Sequence, residues 1–535
     1  MESANSHSSS DEDENMIDLK DCEEIIELND EDKDADVCSL EENLDDINIE
    51  KNLTSDNEIL FQNHTKPIFS IDLYMEKHLI VTGGEDDMAY IWEFSFDNQH
   101  NPYIPITGHT DSVIFAKFDS SHLYLATVDM SGKIIVYLLE HIIKSFLNES
   151  ILCKTDNNCK LTHHLNSIEG DGISQMLGTD QKMNDEATEE TYNGYFSRKN
   201  PRFKANKPLK PVYTHDLETD ITWVQWGTSP EPRSHPKLII GTEFGPVHSL
   251  DLSFHLSKDK GVKGKDLDQE LLHEQIFADG RLARASACRC LPDSNSDTFV
   301  VGYSDGALKI WGPSNYSLSL FPTYSHSSKP IQPKSDAKSS HIPRPEITCI
   351  EVYLPPIKNN RLLQNPNMSG ILPDYYVISG DADGGMELHN GADGKHLGSF
   401  NMVDNHVTQD QLLSVETLSI ATNTGHSTEQ VMMSAHLSGY ICVWDLKRRN
   451  IRNLCKAHSG VTKAQWLSEE PNLAHIIISA HLEGYIYLWD SRTGASLKQF
   501  RPHDLDILDF VVSSDGKYIA TCSEDARAKL IALEL

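Results

Sequence analysis

The chain has no run of 18 or more apolar residues, no Cys-x-x-Cys pair, no aromatic residue in its first 58 positions, and few basic side chains for its size. The first absence excludes a helical membrane span, which needs about 20 consecutive apolar residues. The second removes the usual redox and zinc spacings from its ten cysteines, Cys22, Cys38, Cys153, Cys159, Cys288, Cys290, Cys349, Cys442, Cys455 and Cys522. Lys and Arg number 46 against 81 Asp and Glu, a formal charge of −35 over 535 residues. A field of that sign repels DNA and anionic bilayers, so neither is an expected partner. A basic partner is.

Catalytic motifs are missing as well. There is no phosphate-cradling glycine loop followed by Lys-Ser or Lys-Thr, no His-Glu-x-x-His and no nucleophile elbow, so no catalytic residue is assigned and no enzyme is expected. Asp381-Ala-Asp383-Gly-Gly opens like a calcium loop, but its twelfth position is Ala392 and not the bidentate Glu. Cys153, Cys159, His163 and His164 fit zinc spacings poorly. No cofactor and no metal are expected. The start, Met1-Glu2-Ser3 followed by acids, lacks the basic and apolar regions of a signal peptide, which points to the cytoplasm, with a nuclear pool left open, and to reduced cysteines.

Residues 1–58 hold 22 Asp or Glu against Lys20, Lys33 and Lys51, a net of −19 that leaves −16 on the remainder. A segment so charged, with no aromatic to bury, cannot offset its ordering entropy, and a disordered acidic tail is expected. From residue 59 to 535 one phrase returns: an apolar strand, an acidic or Gly turn, and a second strand ending in an aromatic. Leu79-Ile-Val-Thr-Gly-Gly-Glu-Asp-Asp-Met-Ala-Tyr-Ile-Trp92 is the clearest copy. Its last position recurs at Trp92, Tyr137, Leu250, Trp311, His389, Trp444, Trp489 and Ile531, with spacings of 45, 113, 61, 78, 55, 45 and 42. Three of the seven intervals match a period of about 40 to 45, the length of a four-stranded blade, and the others carry insertions. Eight copies are therefore read.

His64 to Asp86, His109 to Ser131 and His503 to Asp525 are each 22 apart, and three copies end in Trp-Asp or Trp-Glu. These features resemble the WD-repeat β-propeller family. The resemblance implies an all-β WD40 β-propeller in which such His and Asp side chains bond within each blade, making His64, Asp86, His109, His503 and Asp525 structural. The final copy stops at its third strand, and Ile59 to Phe61 is expected to supply the fourth, closing the ring without an open edge. Insertions are expected at about 140–211, with the basic cluster Arg198, Lys199, Arg202, Lys204, Lys207 and Lys210, and at 314–345, where nine Ser and five Pro fall in 32 positions.

The turns between second and third strands carry Glu85, Asp86, Asp87, Asp129, Glu243, Asp305, Asp381, Asp383, Glu483, Glu524 and Asp525. In a propeller these turns open on one face, so eleven carboxylates are expected on a partner-binding surface. Hydrogen bonding within the turns accounts for some of them, but not for the acids beside the turn Asp.

Val81-Thr-Gly-Gly-Glu-Asp-Asp-Met-Ala-Tyr-Ile-Trp92, Gly108-His-Thr-Asp-Ser-Val113 and Asp129-Met-Ser-Gly132 narrow the likeness. They are similar to the family of the angio-associated migratory cell protein and its fungal relative, a dedicated chaperone of a large-subunit ribosomal protein of the bacterial L-sixteen family. That resemblance implies a monomeric, non-enzymatic chaperone. It would hold the basic N-terminal part of a newly made ribosomal protein and support its delivery to the 60S subunit, with a transient ribosome contact left open. The alternative is a generic WD-repeat scaffold in signalling or a ubiquitin-ligase complex.

Overall fold

The structure is a computed structural model. It describes residues 58–96, 101–146, 209–227, 236–252, 273–291, 298–313, 316–320, 344–354, 375–400, 412–421, 430–470 and 472–533. All of these lie in one compact unit, Lys51–Leu535. The expected acidic tail lies outside them except for Glu58, which is already in a strand. Of the basic cluster, only Lys210 is described.

Eight four-stranded antiparallel sheets make up the molecule. Seven are built from consecutive strands, spanning residues 68–106, 113–216, 221–277, 285–320, 347–399, 415–456 and 461–500 (blades 1 to 7). Blade 8 combines Ile507–Val512, Tyr518–Ser523 and Ala528–Ala532 with the N-terminal strand Glu58–Phe61, which pairs antiparallel with Ala528–Ala532. The ring is closed by the strand read from sequence, beginning one residue earlier.

The pattern that makes the blades is plain in blade 1. Its second strand, Leu79–Gly84, is buried at every position, because blades cover it on both sides. In the third strand, Ala89–Glu93, Ala89, Ile91 and Trp92 are buried while Tyr90 and Glu93 are half-buried. All eight positions aligned in the sequence fall at the penultimate residue of a third strand, each facing an apolar residue of the second, as in Ile80 with Trp92 and Met432 with Trp444.

Neighbouring blades approach closely. A Cβ on Gly83 would sit 2.8 Å from Val113 Cγ1 in blade 2, and one on Gly302 would sit 2.4 Å from Ile347 Cγ2 in blade 5, so side chains there would push the sheets apart. Cys290, Cys442, Cys455 and Cys522 are buried. Burial raises the thiol pKa of Cys442 and of Cys455 to about 12, which suits small core hydrophobes and not nucleophiles.

First strands also join the ring through a buried ionic collar. Asp509 of blade 8 lies between Lys117 of blade 2 at 2.5 Å and Lys463 of blade 7 at 2.7 Å, and accepts the Ile71 backbone N–H of blade 1. Burial raises the pKa of this carboxyl, but the two ammonium groups outweigh it and hold it at about 2.

Two expected insertions begin later than their composition suggests. Residues 139–146 form a helix whose Leu139, Ile142 and Phe146 are buried against the core shared by blades 1 and 2, so the polar excursion does not start at 140. The Ser- and Pro-rich segment expected from 314 contains Tyr316–Leu320, the fourth strand of blade 4, with Leu320 in the core. Serines at 317 and 319 alternate with leucines, and that two-residue period makes a strand of an otherwise loop-like composition.

Candidate functional site

One backbone contact repeats in every blade and fixes the geometry of a face. The residue directly after each second strand donates its N–H to a carbonyl just before that blade's first strand. The pairs are Glu85 with Pro67, Met130 with Ser112, Glu243 with Asp220, Ser304 with Arg284, Ala382 with Glu346, Leu437 with Ser414, Leu482 with Gly460, and Glu524 with Asp506, all at 2.9–3.0 Å. Since the ring is closed and the contact eightfold, these positions open on one side, each beside an inter-blade loop. Read around the ring they are Glu, Met, Glu, Ser, Ala, Leu, Leu, Glu.

Just beneath this rim, the expected His and Asp residues form networks. His64 Nδ1 lies 2.8 Å from Asp86, and its Nε2 lies 2.9 Å from Thr82 Oγ1, which also accepts the Trp92 indole N–H. His503, Asp525 and Thr521 repeat the arrangement in blade 8. In blade 2 the spacing to Ser131 misleads, because His109 pairs with Asp129, the last residue of the second strand, at 3.2 Å. Ser131 instead donates to Asp129 and meets Thr110.

Blades 6 and 7 place the histidine elsewhere, with His436 and His481 at the ends of second strands. Each joins a serine, Ser434 or Ser479, which accepts an indole N–H from Trp444 or Trp489. Sequence reading missed these two residues. Their signal was the repeated Ser-Ala-His at 434–436 and 479–481.

This division corrects the expectation of eleven surface carboxylates. Asp86, Asp129, Asp381 and Asp525 are turned into the blades: Asp129 is fully buried, and Asp381 accepts the backbone N–H groups of Asp383 and Gly385. Burial raises the pKa of Asp129, but hydrogen bonds from His109, Thr110 and Lys133 outweigh it and hold it at about 2. Such groups satisfy turns. Glu85, Asp87, Glu243, Asp305, Asp383, Glu483 and Glu524 are exposed or half-buried.

The inter-blade loops add Asp111, Glu218, Asp220 and Asp504, all exposed, which the sequence reading overlooked. A loop preceding a first strand must share the face of the turn it bonds to, and that relation was the available signal.

The face is not uniformly charged. Arg281 pairs with Asp305 and Arg284 with Glu346 at 2.7 Å, so acids around blade 4 are neutralised from within. Among the described residues Asp87, Asp111, Glu218, Asp220, Glu243 and Glu524 form no ion pair, which leaves a carboxylate arc from blade 8 through blade 3. The opposite arc is apolar, with Leu413 and Leu437 of blade 6 exposed and Leu482 of blade 7 at the next rim position. Met130 and Phe244 interrupt the acidic arc, and Phe244 is 58% exposed. Such a surface suits a cationic segment carrying a few apolar side chains.

The model of the WD domain, G-beta repeat (WD40) matches residues 57–93 and 494–531. The chain is a WD40-repeat propeller. It is homologous to the angio-associated migratory cell proteins of Homo sapiens and Canis lupus familiaris, each 23% identical over 90% of this chain and 80% of the relative. Ribosome assembly protein SQT1 of Saccharomyces cerevisiae is 36% identical over 78 residues, 15% of this chain and 18% of that protein.

Crystal structures agree in fold. Saccharomyces cerevisiae Sqt1 superposes with a TM-score of 0.55 at 16% identity, covering 90% of this chain and all of that one. Chaetomium thermophilum Sqt1 bound to the N-terminus of ribosomal protein L10 gives 0.56 at 16% identity, covering 89% of this chain and 100% of that one.

Proposed function

We propose that this propeller is a non-enzymatic chaperone that holds the basic N-terminal segment of a newly made large-subunit ribosomal protein on its acidic arc until 60S assembly. The observation that carries the reading is that arc: six carboxylates without ion pairs among the described residues, in an eightfold frame where the acids around blade 4 are already paired. Like charges gathered without internal partners repel one another, and a cationic segment relieves that cost. The relatives support the choice of client, since one is named a ribosome assembly protein and the solved structure of another holds the N-terminus of ribosomal protein L10. Released into the cell, such an Arg/Lys-rich segment would bind any polyanion. The arc occupies it reversibly, and rRNA, with its higher phosphate density, competes it away.

The test is binding of a fluorescent peptide with the sequence of that basic N-terminus. Each exposed carboxylate–cation contact contributes roughly 0.5–1 kcal/mol. Reversal of Asp220, Glu243 and Glu524 to Lys together should weaken binding by about 2–3 kcal/mol, or about thirty- to 150-fold. Affinity should also fall as salt rises. Unchanged binding by the triple variant would overturn the proposal. A salt-resistant complex recovered from cells with no ribosomal protein would favour the scaffold alternative.

A further inference from the structure

Blade 5 departs from the others at one buried spot. Blades 1, 4, 6 and 7 carry a Trp at the penultimate position of the third strand, whereas blade 5 carries His389, only 1% exposed. Two residues earlier, on the same side of that strand, stands the buried Glu387. His396, on the neighbouring fourth strand, is the register partner of His389, and the two rings lie 5.2 Å apart. One ligand atom from each of the three falls within 4.8 Å of the others.

The distances discriminate between a hydrogen-bonded cluster and something larger. Where a His and a carboxylate bond directly in this protein, the atoms lie at 2.7 Å for His248 with Glu274, 2.8 Å for His64 with Asp86, 2.9 Å for His503 with Asp525 and 3.2 Å for His109 with Asp129. Glu387 Oε2 instead stands 3.7 Å from His389 Nε2 and 3.9 Å from His396 Nε2. Both separations are too long for a hydrogen bond between those atoms. They approach the roughly 3.3 Å edge between ligands about 2.0–2.1 Å from a tetrahedral zinc ion.

We propose that Glu387, His389 and His396 bind a divalent transition-metal ion of the zinc class. Two imidazoles and one carboxylate are borderline donors, matched to zinc or cobalt and poorly to calcium or magnesium, which take oxygen ligands. The ion would neutralise a buried carboxylate and tie the fourth strand of blade 5 to the third, where other blades use indole packing. Solvent reaching the partly exposed His396 completes the coordination.

The experiment uses the full chain, stripped with a chelator and titrated with Co²⁺, then with Zn²⁺. A visible absorption band of tetrahedral cobalt should appear at one equivalent and vanish as Zn²⁺ displaces it. The melting temperature should rise by about 4 °C at a hundredfold excess of Zn²⁺ over its Kd. Glu387→Gln should lose the band. His389→Trp should lose it too while folding normally, since it installs the residue four other blades carry, and its melting should no longer respond to Zn²⁺. No band in the wild-type chain would overturn the proposal, as would a band retained by both variants.

Discussion

Cutting away the N-terminal strand tests the closure of the ring directly. Two chains are compared, one starting at Glu58 and one at Asn63, so that only Glu58–Gln62 differs. Phe61 is 1% exposed and its ring centroid lies 5.2 Å from that of Trp92. Removing a buried phenylalanine side chain costs about 3–5 kcal/mol, and the half-buried Ile59 adds about 1 kcal/mol. The Lys529–Glu58 pair, at 3.1 Å, adds less than about 1 kcal/mol.

A loss near 5 kcal/mol follows. At about 2.1 cal/mol/K per residue over roughly 300 packed residues, the melting entropy is about 0.6 kcal/mol/K, so the midpoint should fall by about 8 °C. Calorimetry reads the shift, and Phe61→Ala in the full chain should reproduce more than half of it. Equal melting of the two truncations would refute the closure as a source of stability.

Other consequences can be measured in the same way. Burial holds His436 and His481 at about 4 in the folded chain, against about 6.5 when unfolded. The unfolded state therefore binds more protons between those values, so this stabilisation is full above pH 6.5 and is lost as pH falls toward 4. Thermal melts from pH 7.5 to 5 should drop by several degrees, and less in His481→Gln; a flat profile would contradict the burial argument. Below that range, Asp86, Asp129 and Asp525, whose carboxyls are held low by their histidines against the opposing effect of burial, should add a second loss as they protonate. Asp509→Ala should destabilise the ring by about 3–5 kcal/mol by leaving Lys117 and Lys463 without their shared carboxylate. Replacing Lys463 with Met as well should recover part of that loss in urea unfolding.

Much of the fold was legible because third strands pair with fully buried second strands, and that pairing leaves an apolar run ending at a fixed aromatic position. Even His389 and Ile531, with no aromatic of the usual kind, were placed by the frame around them. First and fourth strands face the channel or solvent on one side, and their mixed composition hid the strand at Tyr316–Leu320. The carboxylates divided on a detail that spacing does not carry. Asp86 and Asp87 are adjacent, yet the former turns toward His64 while the latter, at a φ of 60°, points to solvent. The Glu387, His389 and His396 cluster stayed hidden for another reason: its third member arrives only through strand pairing, seven residues on and across a turn.

The strand that completes blade 8 has a consequence for how the molecule is made. Glu58 and its partner Lys529 are 471 positions apart, so the first strand leaves the ribosome long before the one it pairs with. At about 5–20 residues per second, the nascent molecule spends roughly half a minute to a minute and a half as an open horseshoe, both free margins exposed to other chains. The propeller proposed to hold another protein's newly made segment thus passes through an unshielded stage of its own.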